Sequence, residues 1–555
     1  MRTGNKFQPG VIAEKYPLAL VFIFTFICLL PAMLLRDFTP SNELRYLSIA
    51  DEAIANGNIF AFTNHGLAYA DKPPLYFWIV MLCRLVFGEH SCLALSMFSL
   101  IPAFVIVKVM DGWVMKGASV QDRMAAAMML LTSVMFLGTA VVLRMDMLMC
   151  MFIVLAVNTF HRMYKAGEPS VKDRILLPVW IFMALFTKGP VGLLVPPLSI
   201  VVFLMVKRKW RDIGKYLGWM TWGILAGLSA LWILCAFLDG GPDYINNLLF
   251  RQTVGRAVNA FTHNKPFWFY FIAIVWCLAP YCILTLGSLV QSLLPVKKSG
   301  GCIPVSAVRS DTEILFLSVI VPTFLMLSSF SSKLPVYLCP VFPFVVYLYP
   351  IATERLGGKN WMKWAVGIPA GIFLVLAFVL IVALSGIVHI PALDPILSEY
   401  AFATSWPVKI AALVLLLGNA GALVALVKRK SWNLPVFIIG ATLLLTIYCA
   451  SGVMGKVNPY FGYRAMCSEV PEGTDVATLY VHRPENVDVY LGRQITDYRK
   501  DVDSFFNALS GRGEDARPLT LIVMTKKMES NAALHEYVQS CRTVTYVGPY
   551  CIASK

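Results

Sequence analysis

Long apolar stretches recur over most of this 555-residue chain, with short polar loops between them. A stretch of about 20 apolar residues crosses a bilayer as a helix, because lipid offers backbone N–H and C=O groups no partner except one another. Thirteen candidate spans are centred near residues 17–35, 92–111, 124–142, 147–164, 175–189, 191–206, 216–238, 267–290, 313–330, 335–352, 363–386, 406–427 and 434–452. Composition agrees: 58% of residues are apolar and 14% charged, where an average soluble domain carries about 25% charged residues. No small-residue cleavage site follows the first stretch, which is expected to remain as a signal anchor.

The net charge is +15. A basic chain often binds nucleic acid, but here Lys and Arg fall in short clusters between apolar stretches, as they do in cytoplasmic loops. With Arg2, Lys6 and Lys15 on the cytoplasmic side, parity makes the loops 116–123, 161–174, 206–215, 297–309, 354–363 and 427–432 cytoplasmic, and each of them is basic. The opposite loops, 36–91, 144–146, 187–190, 239–266, 331–335 and 386–406, mix both signs. The apolar segment 73–88 begins with two prolines, is interrupted by Arg84 and is too short to cross with ease, so it is expected to lie at the interface. After residue 453, β-branched segments (TDVATLYVH, PLTLIVM, TVTYVGPYCIA) alternate with helical ones (ENVDVYLGR, DVDSFFNAL, SNAALHEYV). The expected architecture is a polytopic α-helical membrane protein with about thirteen spans over 1–453, interfacial helices in a first outer loop at 36–91, and a small α/β domain at 454–555 on the non-cytoplasmic side. The thirteen cysteines show no metal-type spacing. Two of Cys467, Cys541 and Cys551 could pair in an oxidising compartment.

The outer loops of the first ten spans bring polar residues to one membrane face. The first offers Asn42, Glu43, Arg45, Tyr46, Asp71 and Lys72; the next, Arg144 and Asp146; then Lys188; then Arg251, Arg256, His263 and Lys265; then Lys333 and Tyr337. Each has a plainer reading. Arg144 and Asp146 could cap spans, Lys188 and Lys333 could snorkel, His263 could be structural, and Met145, Met147 and Met149 could simply pack. Together they place several cations and a few carboxylates at one depth, which suits a phosphate held at the bilayer edge on a greasy carrier.

The segments NELRYLSIADEAIANG with YADKPPLYFWI, RMDMLMCMF, FTKGPVGLLVP, R-x6-HNKPFWFY and SSKLPVYLCPVFP follow in that order. In them the chain resembles the polyprenyl-phosphate-dependent membrane glycosyltransferases of the aminoarabinose–lipid A transferase and protein O-mannosyltransferase kind, the C-type glycosyltransferase fold. The resemblance runs from about residue 17 to about residue 350; the last spans and the terminal domain match only in layout. It implies transfer of a sugar from a polyprenyl-phosphate donor to a lipid, glycan or protein acceptor at the non-cytoplasmic face of a bacterial inner membrane, by an inverting single displacement. It assigns carrier-phosphate or substrate binding to Arg45, Tyr46, Lys72, Arg256, His263, Lys333 and Tyr337, and places Asn42, Glu43, Asp71 and Asp146 at the catalytic acidic positions.

Asn42 departs from the pattern, since the family's catalytic Asp falls there. An amide takes no proton at neutral pH, so a hydroxyl acceptor would need Glu43, Asp71 or Asp146 as base, whereas a phosphate acceptor is already ionised and needs none. No cofactor is implied; Asp71 with His263 offers at most an incidental divalent site. A transporter of a polyprenyl-linked lipid, or a non-catalytic binding subunit, would share the headgroup cations. A transporter, however, usually carries internal repeats and midplane charges, and neither is visible here.

Overall fold

The computed structural model describes residues 16–249, 264–294, 296–298, 301–303, 309–356, 360–386, 391, 394–428, 432–512 and 517–555. Among these, eight helices are long and apolar enough to cross a membrane: Pro17–Leu35, Cys92–Val114, Met145–Ala166, Trp219–Leu249, Asp311–Ser329, Trp361–Ser385, Trp406–Lys428 and Asn433–Phe461. A ninth crossing is formed if Val120–Thr132 and Val134–Val141, which bend by 67°, are taken as one span. The chain is therefore a multi-pass membrane protein. The other four expected spans fall on Val171–Lys188, Pro190–Val206, Phe342–Leu356 and the broken pair Phe269–Cys277 and Cys282–Leu293. Leu75–Phe87 has 13 residues, a rise of about 20 Å, which is short of a bilayer core.

The chain packs as two compact units, Met1–Pro31 with Ala70–Tyr76 and Ser96–Ala450, and Ala32–Tyr69 with Phe77–Leu95 and Ser451–Lys555. In the first, local chemistry explains the bend. Ser133 is extended (φ −65°, ψ 132°), and the Val134 N–H that leaves the helical ladder donates to the Ala279 carbonyl at 3.0 Å. Lipid could not satisfy that group; a neighbouring helix can. The Thr132 hydroxyl donates to the Met128 carbonyl at 2.6 Å and lies 2.9 Å from the Tyr281 hydroxyl. Buried carboxylates are paired, Asp111 with Arg123 and Glu313 with Arg355, as an intramembrane charge requires.

In the second unit the helix Glu43–Asn56 buries Leu44, Leu47, Ile49, Ala50 and Ala53, the recurrent apolar face of a 3.6-residue period. Gly57 ends it at φ 74°, a left-handed conformation that costs glycine nothing. The C-terminal segment forms a five-stranded sheet of β1 (Asp475–Leu479), β2 (Thr496–Asp497), β3 (Leu519–Met524), β4 (Thr543–Val547) and β5 (Tyr550–Ser554), in the order β2-β1-β3-β5-β4. β1 is parallel to β2 and β3, and β5 is antiparallel to β3 and β4. The segment TVTYVGPYCIA turns out to be a hairpin, because Gly548 (φ 55°) reverses the chain between β4 and β5. Cys467, Cys541 and Cys551 are free thiols rather than a paired set. Burial pushes the Cys467 thiol up to about 12 and the Cys551 thiol up to about 11.

Candidate functional site

In the first unit the site is built where two antiparallel helices meet. Asp146 stands in the first turn of Met145–Ala166, and Lys188 in the last turn of Val171–Lys188. An anion at a helix N-terminus and a cation at a C-terminus each complement the helix dipole, so the two ends favour this pair. The Lys188 ammonium donates to Asp146 Oδ1. The Asp146 carboxylate is 3% exposed and Lys188 12% exposed, so the pair is withdrawn from water. Arg144 Nε approaches Asp146 Oδ2 at 3.7 Å and is itself 31% exposed. Lys188 Nζ also lies 4.6 Å from the centre of the Tyr337 ring, within cation–π range. Asp146 and Tyr337, far apart in the chain, thus meet across Lys188.

The sequence around these residues explains the placement. In FTKGPVG, Gly189 adopts φ 111° and Pro190 occupies the first turn of the next helix. Gly192 packs so closely that an added Cβ would lie 2.3 Å from the Ala184 carbonyl carbon. The Arg144 segment is held by Ser96 and Ser99, whose hydroxyls donate to the carbonyls of Val141 at 2.9 Å and Val142 at 3.0 Å. Met145, Met147 and Met149 are buried and do pack. Lys333 is buried instead of snorkelling: its ammonium donates to the Lys265 carbonyl at 2.9 Å and to the Phe330 carbonyl. Burial pushes its pKa below the ordinary lysine value. This lysine ties the loop before Tyr337 to residue 265, beside the bridge between Asn264 and Ser332. Asp71 and Lys72 are half-buried. Arg251, Arg256 and His263 lie outside the described residues.

In the second unit Glu43 is fully buried and held bidentately by Arg36, with both oxygens at 2.8 Å. It also accepts from the Thr39 amide at 2.8 Å and the Thr39 hydroxyl at 2.9 Å. Arg36 and Thr39 therefore hold it as an anchor of the loop. Asn42 flanks the helix without capping it, and its Oδ1 accepts from Arg45 Nη2 at 3.0 Å. The Arg45 guanidinium lies 5.8 Å from the Tyr46 ring centre and 5.9 Å from that of Tyr69, while its buried Nε has no hydrogen-bond partner among the described residues. Asn42, Arg45 and Tyr46 therefore form one group.

Sequence reasoning overlooked a second set of polar residues in this unit. Asp37 accepts from the Tyr490 hydroxyl at 2.5 Å and from the Arg464 amide at 2.9 Å. Asp488 accepts from the Ser48 hydroxyl at 2.8 Å and lies 3.6 Å from His65 Nδ1. Glu52 closes the 63–66 turn through the Thr63 hydroxyl at 2.5 Å and the amides of His65 and Gly66. Only the repeated acidic residues of the first loop hinted at this. Their partners are more than 400 residues away in the cases of Asp37 and Ser48. Among the described residues no three His, Cys, Asp or Glu converge as a metal site.

Known proteins fall in with this picture. The model of the dolichyl-phosphate-mannose-protein mannosyltransferase family matches residues 71–233. An undecaprenyl phosphate-alpha-4-amino-4-deoxy-L-arabinose arabinosyl transferase of Edwardsiella ictaluri is 26% identical over 359 residues, 63% of this chain and 61% of that protein. Its counterpart in Erwinia tasmaniensis is 24% identical over 465 residues, 80% of this chain and 78% of that protein. For the first two such relatives the matched part is about three fifths of their length. In the solved structures, ArnT from Cupriavidus metallidurans bound to undecaprenyl phosphate superposes with a TM-score of 0.71 at 16% identity, covering 98% of each chain. The chain has that fold, and it resembles the aminoarabinose- and mannose-transferring polyprenyl-phosphate glycosyltransferases in both sequence and fold.

Proposed function

We propose that this protein transfers a sugar from a polyprenyl-phosphate carrier to an envelope acceptor, at the non-cytoplasmic face of a bacterial inner membrane. The observation that carries the reading is the buried Asp146–Lys188 pair with Arg144 and Tyr337 beside it, in a chain whose curated relatives act on undecaprenyl-phosphate aminoarabinose. Thirteen crossings are the topology that goes with it, Val171–Lys188, Pro190–Val206, Phe342–Leu356 and the broken pair completing the set, so that loops 36–91, 144–146, 187–190 and 331–335 face outward. The donor is a polyprenyl-phosphate sugar and the acceptor a lipid A-like glycolipid or another glycan.

In this reading Lys72, Arg256 and Tyr337 hold the carrier phosphate and offset the charge that grows on it as the leaving group. Lys188 pairs with Asp146 and lies against the Tyr337 ring. The acceptor oxygen attacks the anomeric carbon from the face opposite the phosphate, the carbon–oxygen bond to the carrier breaks, and the configuration inverts. For a hydroxyl acceptor the base is one of Glu43, Asp71 and Asp146, of which Glu43 and Asp146 stand in buried ion pairs. Asn42, bonded to Arg45, favours the other case: a neutral amide beside a guanidinium receives a phosphate acceptor without repulsion, and no base is needed. No cofactor takes part, so turnover should persist in excess EDTA.

The test uses protein in nanodiscs with a panel of polyprenyl-phosphate sugars, following release of free polyprenyl phosphate. Wild type should release it, and the acceptor that speeds release names the substrate. Lys72→Ala should lower the rate by about a hundredfold or more, the range for loss of one donor to a developing charge. Unchanged rates in Lys72→Ala and Arg256→Ala would remove both from the reaction. Release only in Asn42→Asp would show that the amide has silenced the native chemistry.

A further inference from the structure

The C-terminal sheet holds a cleft that none of the transfer residues uses. After β1 the chain turns toward β2, and after β3 it turns the other way, toward β4 and β5. Connections that leave adjacent parallel strands in opposite directions open a crevice at the strands' carboxyl ends, where open α/β sheets bind their ligands. At that place lies a cavity of about 620 Å³, walled by residues 480–485 after β1, by Asp497, Arg499 and Lys500 at and after β2, and by Met524 and Lys527 at the end of β3.

Two further features mark it as a built site. Tyr480, Arg483 and Arg499 all line it, and they adopt φ of 59°, 52° and 56°. These are three of the five non-glycine residues with positive φ among the described residues, and such strained backbone gathers where function requires it. Neighbouring bonds enforce the conformation: the Tyr480 amide donates to the Arg499 carbonyl at 2.6 Å, and the Arg499 amide to Asp497 Oδ1 at 2.8 Å. The second feature is charge. Arg483, Arg499, Lys500 and Lys527 face two carboxylates, of which Glu485 lies 3.5 Å from Arg483. Among the described residues, Arg499, Lys500 and Lys527 make no ion pair.

We propose that this crevice binds a phosphorylated saccharide. Arg499, Lys500 and Lys527 take the phosphate, for which a guanidinium fork and ammonium groups are suited. Glu485 and Asp497 accept from sugar hydroxyls. The loop that forms one wall is anchored, because His482 Nε2 lies 3.0 Å from the Ser41 hydroxyl and Asn486 Nδ2 donates to the Pro40 carbonyl at 2.8 Å. A filled crevice therefore bears on the chain one residue from Asn42. The phosphate comes either from a soluble sugar phosphate or from the headgroup of a phosphorylated glycolipid.

Full-length protein in nanodiscs is titrated with glucosamine 1-phosphate, with glucosamine as the phosphate-free control, and binding is read by calorimetry. Wild type and Lys72→Ala should bind the phosphate ester with equal affinity and glucosamine not at all. The variant R499A/K500A/K527A, altered only at exposed side chains, should bind it at least about tenfold more weakly, the factor for loss of one hydrogen bond to a charged group. Displacement of the probe by a phosphorylated, acylated glucosamine disaccharide in the nanodisc assigns the site to a glycolipid headgroup; failure to displace assigns it to a soluble sugar phosphate. Equal affinity in wild type and the triple variant, or no saturable binding by wild type, would overturn the proposal. Because the assay needs no turnover, its failure and failure of the transferase reading are told apart.

Discussion

At the residue scale, charges in this protein are distinguished by what encloses them. Lys188 and Asp146 satisfy one another out of reach of water. Lys188→Ala should therefore cost about 3–5 kcal/mol, because it strands a buried carboxylate. The double variant Asp146→Asn with Lys188→Met, which removes both charges, should recover much of that loss in thermal unfolding; additive losses would show that the pair is not coupled. Asp488 behaves differently. Burial raises its pKa, against the Ser48 hydrogen bond and the His65 charge, with Asp51 adding to the rise. A carboxyl whose native pKa is raised binds protons more readily folded than unfolded, so it contributes stability below the ordinary carboxylate range and loses it as pH climbs through the raised value. The wild-type melting temperature should thus fall between pH 4 and pH 8 by more than that of Asp488→Asn. Equal slopes would rule out Asp488 as the group responsible.

At the element scale, the hairpin of Val171–Lys188 and Pro190–Val206 sets where Lys188 stands. A methyl at Gly192 would fall 2.3 Å from the Ala184 backbone, and backbone cannot swing away as a side-chain tip can. Gly192→Ala should destabilise by about 1–3 kcal/mol, the cost of overpacking. It should also lower carrier-phosphate release, since the ammonium would move off Asp146 and Tyr337. A variant with wild-type stability and turnover would show that the helices open at no cost. Elements with strong periodicity or β-branched content were legible in the chain: the helix over 145–166 and the strands β1 and β3 fall where expected. The span expected at 267–290 breaks into two helices around Leu278–Tyr281, and nothing in its apolar run marks that point except Pro280.

At the scale of the whole molecule, the thirteen crossings proposed above would place residues 36–91 and 454–555 on one side of the membrane, where eight helices, or nine with the bent pair, are long and apolar enough to cross among the described residues. A cysteine placed at exposed Lys500 should react with a membrane-impermeant maleimide in intact spheroplasts, and one placed at exposed Arg211, in the basic loop 206–215, only after lysis. The reverse pattern would show an odd number of miscounted crossings before Lys500. Pro190–Val206 and Phe342–Leu356 have 17 and 15 residues, and a helix of fewer than about 18 residues crosses only if it is packed among others.

Apolar length, basic clustering and turn residues act locally, so the chain by itself determined a multi-pass helical protein, the order of its polar loops and a strand-rich C-terminal segment. It also revealed which chemical types stand at the loop ends. Which of those groups meet was decided only in three dimensions. Asp146 finds Lys188 at a separation of 42 residues. Arg36 holds Glu43 in a buried bidentate ion pair. Asp37, Ser41 and Ser48 find their partners in the C-terminal segment, which gathers the first outer loop and that segment into one unit. The cleft at the carboxyl ends of β1 and β3 exists only because their connections diverge. A charge announces in sequence that it needs a partner or a ligand, but many partners of the right sign are available, and helix packing chooses among them.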